Sequence, residues 1–146
     1  MWIWIAVAVG VFVALIIAYR LLVGLGRARV DEVQDRLGAG QIRKMVASAN
    51  CFGVESGGYG QIRGNGVLAL TDEELYFLMW IPKREIRIPL EDVIEVSTPK
   101  THLGKTKMQP LLKISFTNRE GESDSVAWLV PDLEDWTRET RNLADL

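Results

Sequence analysis

The first 19 residues, MWIWIAVAVGVFVALIIAY, contain no charged side chain. A helix buried in a globular core rarely runs that far without polarity, whereas a helix crossing a membrane requires it. Trp2 and Trp4 mark one end of the stretch, and Tyr19 with Arg20 marks the other. A helix from Trp2 to Tyr19 rises about 26 Å, close to a hydrocarbon core with an aromatic belt at each face. The apolar run resumes as LLVGLG after Arg20, whose long side chain can snorkel to the headgroups. Residues 1–26 therefore read as a transmembrane anchor. A cleaved signal peptide competes, but it needs a cationic start, a shorter apolar region and a small-residue exit. Here only the terminal amine precedes Trp2, and Tyr-Arg follows the run. Arg20, Arg27 and Arg29 all lie after the span, so the positive-inside rule predicts a single-pass protein of the plasma or inner membrane. The rest of the chain is then expected in the cytoplasm, a compartment compatible with a reduced Cys51.

Ala6, Gly10, Ala14 and Ala18 recur every four residues within the anchor. Small-residue stripes of this kind let two membrane helices approach closely, which makes homo-oligomerisation through the anchor one reading. The other is compositional, since Ala and Gly are common in such helices.

Beyond the anchor, composition excludes several classes of function. The 146 residues carry a net charge of −2, so the basic footprint of a nucleic-acid-binding protein is missing. One Cys (Cys51) and one His (His102) are too few for a disulfide framework or a Cys/His zinc site. They also leave little material for nucleophilic catalysis, and no enzyme activity, cofactor or metal is expected.

Residues 27–40 read as a helical stalk and linker: Val30, Val33 and Leu37 keep helical spacing among charges until Gly38-Ala39-Gly40 breaks it. Residues 41–146 then read as short strands punctuated by turns. Strands are expected at 42–48, 59–63, 67–70, 75–80, 85–89 and 93–97, the last with Ile94 and Val96 facing inward. Gly64-Asn65-Gly66 carries a hairpin signal, because Asn-Gly tolerates positive φ. Leu112, Ile114 and Phe116 alternate with polar residues, as do Val126, Trp128 and Val130 after the turn at 118–121. A closing helix is capped by Asp132, with Leu133, Trp136, Thr140 and Leu143 on one face. The fold class is mainly β: a small antiparallel barrel or sandwich of seven or eight strands capped by a C-terminal helix, behind one transmembrane helix.

A strand-rich meander with a terminal helix bearing an inward aromatic, Trp136, resembles the pleckstrin-homology-like superfold in its GRAM-like or bacterial branches. The stretch GNGVLALTDEELYFLMW followed by IRIPLEDVIEV is similar to the first sheet of such domains. The resemblance covers roughly residues 42–143 and implies a binding module for anionic lipids, peptides or proteins. Members that bind phosphoinositides place several cations around the first strand-to-strand loop. Here that loop, CFGVESGGYGQIR, holds Glu55 and only Arg63, after Arg43 and Lys44.

Other motifs carry less. Gly104-Lys105-Thr106 lacks the glycine five residues earlier that a phosphate loop needs, because that position is Pro99. The glycines from Gly53 to Gly66 do not make a dinucleotide fingerprint. His102, in a polar loop, is expected to be solvent-exposed; Cys51 is expected to be a small buried hydrophobe. The strand Leu75–Ile81 is apolar on both faces, so if Leu75, Phe77 and Met79 point inward, Tyr76, Leu78 and Trp80 need cover from outside. That cover is this chain, a partner or lipid. Trp80, Ile81, Lys83 and Arg84 form an apolar strand end running into two cations, and Lys100, Lys105 and Lys107 supply a second basic loop. These seven residues are the expected surface for membrane or partner contact. The leading functional expectation is a membrane-tethered, non-catalytic binding or scaffold module with an unknown protein partner. The alternative is a receptor for an anionic lipid or small ligand, using Lys83, Arg84, Arg87, Lys100, Lys105 and Lys107, and it requires three or more of them in one pocket.

Overall fold

A computed structural model describes residues 1–58, 60–61, 63–106 and 108–146. The apolar run forms one helix, α1 (Trp2–Leu37), long and apolar enough to cross a membrane. It ends where the sequence break lies, at Gly38, whose φ of 79° suits a residue without Cβ. The first two-thirds of α1 stand clear of the domain, while the final third packs against the sheet.

Among the described residues, nine antiparallel strands follow: β1 (Ile42–Val54), β2 (Gly64–Thr71), β3 (Glu74–Met79), β4 (Glu85–Pro89), β5 (Val93–Ser97), β6 (Thr101–His102), β7 (Lys105–Thr106), β8 (Leu112–Thr117) and β9 (Ser123–Leu129). The chain closes with α2 (Leu133–Leu143). Seven strands form one sheet in the order β4-β3-β2-β1-β9-β8-β5, and β6 and β7 form a separate hairpin. The barrel reading is corrected by this order. Strands β4 and β5 are the two edges of the sheet, joined only through the short turn Leu90–Asp92, so the sheet curls without closing. Its 13-residue first strand allows the curl, pairing with β2 along its first part and with β9 from Asn50 onward.

The concave face holds the main core. Leu75, Phe77 and Met79 of β3 meet Leu112 and Ile114 of β8 and Val126 and Trp128 of β9, with Trp136 of α2 inserted at one end. Phe77 and Trp128 stack tilted, 5.8 Å between centroids. Alternation fails at Ile94, which is half exposed rather than inward because the β5–β8 register slips between Val93 and Glu95. Asp132 stands at the start of α2 with φ 51° but makes no capping hydrogen bond.

Gly64–Gly66 is not a turn but the start of β2. The glycine is needed for approach: a Cβ on Gly66 would lie 2.5 Å from the Leu78 carbonyl oxygen and from the Phe77 ring. The strand expected at 59–63 is absent at Gly60, Gln61 and Arg63, while Tyr59 and Ile62 lie outside the described residues. Gln61 instead pins this loop, accepting from Val54 N at 2.7 Å and donating to the Val54 and Gly58 carbonyls.

Candidate functional site

The convex face of β2 and β3 is covered by α1. Val33 is fully buried among Val67, Ala69, Tyr76 and Leu78, with Val30, Leu37, Ile42 and Met45 packed around them. The doubly apolar strand is thus covered by this chain, through the residues whose helical spacing marked the stalk. The pairing fixes direction: β3 runs back along α1, so its final residues meet the part of the helix nearest the apolar segment. There Trp80 lies against Gly26, where an added Cβ would be 3.2 Å from the indole.

Polar contacts lock the same junction. Arg29 donates to the Trp80 carbonyl through Nε at 3.4 Å and Nη2 at 3.3 Å. Glu32 accepts from Arg29 at 3.0 Å, from Arg36 at 2.7 Å and from Lys83. The Lys83 ammonium holds the Glu32 carboxyl below its ordinary pKa; burial opposes it, and the Arg29 guanidinium adds to the lowering. Arg36 also reaches Glu85 at 2.8 Å and the Tyr76 hydroxyl at 3.2 Å, while burial raises the Tyr76 pKa. Arg87 is taken up by Glu85 and Glu74 and lies over the Tyr76 ring.

This network separates the residues singled out in the sequence. Lys83 and Arg87 are occupied by ion pairs within the chain. Ile81 is 65% exposed and Arg84 is exposed, so they form the free tip of the β3–β4 turn. Lys100 and Lys105 are exposed in and beside the β6–β7 hairpin, and Lys107 lies outside the described residues. The hairpin turn is made by Leu103 and Gly104, at φ 49° and 69°, so Gly104-Lys105-Thr106 is a tight turn leading into a strand. Ala6, Gly10, Ala14 and Ala18 are all exposed on the free part of α1.

Two residues that the sequence reading assigned to no site matter here. Arg63 lines a recess of about 240 Å³ with Asn50, Cys51, Phe52, Gly64, Lys105 and Thr106. Its Nε and Nη2 are buried without a hydrogen-bond partner among the described residues. Gly64, on the recess wall, also neighbours the Ile81 carbonyl, so recess and turn share one end of the domain. Of the six cations proposed to share a pocket, Lys105 alone lines this one among the described residues. Gly26 is the second; its signal was a glycine inside an apolar helical run just before the charged stalk.

His102 is corrected: it is buried, at 5% exposure, with Nε2 2.9 Å from the Gly53 carbonyl oxygen. The loop around it folds back under a Leu111 N–H to Pro99 carbonyl bond and covers Phe52 and Ala127 on the outer face of β1 and β9. Desolvation lowers the His102 pKa, partly offset by the Gly53 hydrogen bond. Cys51 is buried as expected, and desolvation pushes its thiol up to about 11.

No protein-family model matches the sequence, and no curated protein matches it. Solved structures do resemble the fold. The crystal structure of the C-terminal domain of an unknown protein from Leishmania infantum aligns with TM-score 0.54 at 11% identity, over 80% of this chain and 99% of that one. A chain of the 8S snRNP assembly intermediate aligns with TM-score 0.51 at 9% identity, over 72% of this chain and 80% of that one. At these identities the likeness concerns the fold alone.

Proposed function

We propose that the chain is a membrane-tethered, non-catalytic binding and scaffold module, a domain of pleckstrin-homology-like type held at the cytoplasmic face. One observation carries the reading: α1 runs unbroken from its apolar segment into the convex face of the sheet. A domain fixed to a rigid helix presents one end to the bilayer. From Arg20 to Gly26 the helix rises about 9 Å, which sets the Trp80–Arg84 turn at headgroup depth. Such a mount concentrates weak contacts at the surface, for a protein partner or for lipid. The Arg63–Lys105 recess at that same end favours a second reading, in which the ligand is an anionic headgroup.

The test uses the full chain in nanodiscs, with a polarity-sensitive dye on Ile81→Cys and, for comparison, on Glu73→Cys at the far end of the β2–β3 hairpin. Buried Cys51 stays unlabelled. The Ile81 dye should report an apolar, water-poor setting and the Glu73 dye bulk water; equal signals would remove the membrane-facing assignment. A further shift of the Ile81 dye when phosphatidylglycerol replaces phosphatidylcholine, abolished by Arg63→Glu with Lys105→Glu, selects the anionic-headgroup reading over a protein partner.

A further inference from the structure

We propose that the junction between α1 and β1 is a seat for one zwitterionic aminophospholipid of the adjoining leaflet, an inference that rests on the membrane reading above. A groove of about 390 Å³ lies between α1 and the sheet, within the size range of ligand sites. Leu22, Val23, Gly26 and Val30 line it from the helix, and Trp80 from the sheet. It is widened by a bulge: the β1–β2 register slips between Val46 and Ala49, so Ala47 and Ser48 leave the regular ladder and form the opposite wall. Gly26 keeps it open, since any side chain there would displace the indole.

Three features specify the occupant. First, the groove begins at Leu22, directly after the exposed apolar face of α1, so its lower end is continuous with the hydrocarbon region. An acyl chain lying along that face enters without leaving an apolar environment. Second, the Trp80 indole N–H is buried without an acceptor among the described residues, which is costly unless one arrives. A glycerol ester carbonyl or phosphate oxygen is such an acceptor, at the depth where interfacial tryptophans meet lipids. Third, the groove carries one cation and one anion, Arg27 and Asp31, four residues apart and both outside any ion pair among the described residues. A phosphate facing Arg27 with an ammonium facing Asp31 satisfies both charges; a purely anionic headgroup leaves Asp31 repelled. This seat is distinct from the Arg63–Lys105 recess, which is lined by no carboxylate among the described residues.

Native mass spectrometry of the full chain, released from mild detergent doped with phosphatidylethanolamine or phosphatidylglycerol, tests the seat. The expected result is one phosphatidylethanolamine retained per chain, about tenfold in excess of phosphatidylglycerol. Ala47→Trp, at an exposed position, should fill the groove and abolish retention while leaving the circular-dichroism spectrum and Tm unchanged. Trp80→Phe should weaken retention several-fold, and Asp31→Lys should shift the preference to phosphatidylglycerol. No lipid on the unmodified chain, or equal retention by Ala47→Trp, overturns the proposal. So does a lipid-free dimer that Ala47→Trp converts to monomer, because a second copy then occupies the groove. Alkaline carbonate washing of native membranes separates this failure from that of the membrane reading: release of the unmodified chain removes the span itself, whereas retention without bound lipid removes only the seat.

Discussion

Burial of His102 against the Gly53 carbonyl makes one imidazole a pH-dependent liability. Its folded pKa lies below the ordinary 6.5, so between the two values the unfolded chain binds more protons than the folded one. The stability it contributes is complete above about pH 6.5 and declines as pH falls toward the folded value. Thermal melts should show a fall in Tm on acidification from pH 7 to 5.5 that is smaller in His102→Gln, which keeps a donor for Gly53. Cys51, with its thiol near 11, should resist alkylation at pH 8 in the folded protein and react only on unfolding, as a mass-shift assay would record. The burial of Cys51 was legible from its being a small, weakly polar side chain, whereas that of His102 was not. The histidine lies in a polar segment, and its burial depends on that segment folding back over Phe52 and Ala127, a long-range contact that leaves no local pattern.

The stalk and the terminal helix show how far periodicity carries at the scale of elements. Val30, Val33 and Leu37 announced an apolar stripe, and the doubly apolar β3 announced a strand in need of cover; each lacked only the identity of its partner, which was the other. Val33→Ala should cost about 2 kcal/mol, from the lost methyl groups and the cavity they leave. The boundary of an excised domain follows from the same packing. A fragment beginning at Arg27 keeps the cover on Tyr76 and Leu78 and should be monomeric in gel filtration. One beginning at Gly40 exposes that face and should aggregate, although strand and turn signals alone mark the domain as residues 41–146. Trp136, nearly fully buried at the end of the core, was legible from its place on the amphipathic helix. Trp136→Ala should cost about 3–5 kcal/mol in denaturant melts, a large share of what holds a domain this size together. Barrel closure was not legible, because alternation tells which face of a strand is buried and not which edges pair.

The whole molecule is a curled sheet mounted on a single unbroken helix, with the Trp80–Arg84 turn and the Arg63–Lys105 recess at the mounted end. Charge reading alone gave the turn two free cations; the structure leaves Arg84 exposed and spends Lys83 on Glu32, a pairing invisible from local sequence because 51 residues separate them. The proposed cytoplasmic orientation rests on Arg20, Arg27 and Arg29, and it predicts that a reporter active only outside the cytoplasm stays silent when fused after Leu146. The mount should be rigid. Spin labels at Leu15 and Ile81, both exposed, report it in the full chain in nanodiscs through pulsed dipolar distance measurement. An unbroken helix locked to the turn through Gly26, Arg29 and Glu32 predicts one narrow distance distribution, broadened when Glu32→Gln and Gly26→Val loosen the lock. A broad distribution in the unmodified chain would mean a domain swinging on a flexible tether, and would rule out a rigid mount.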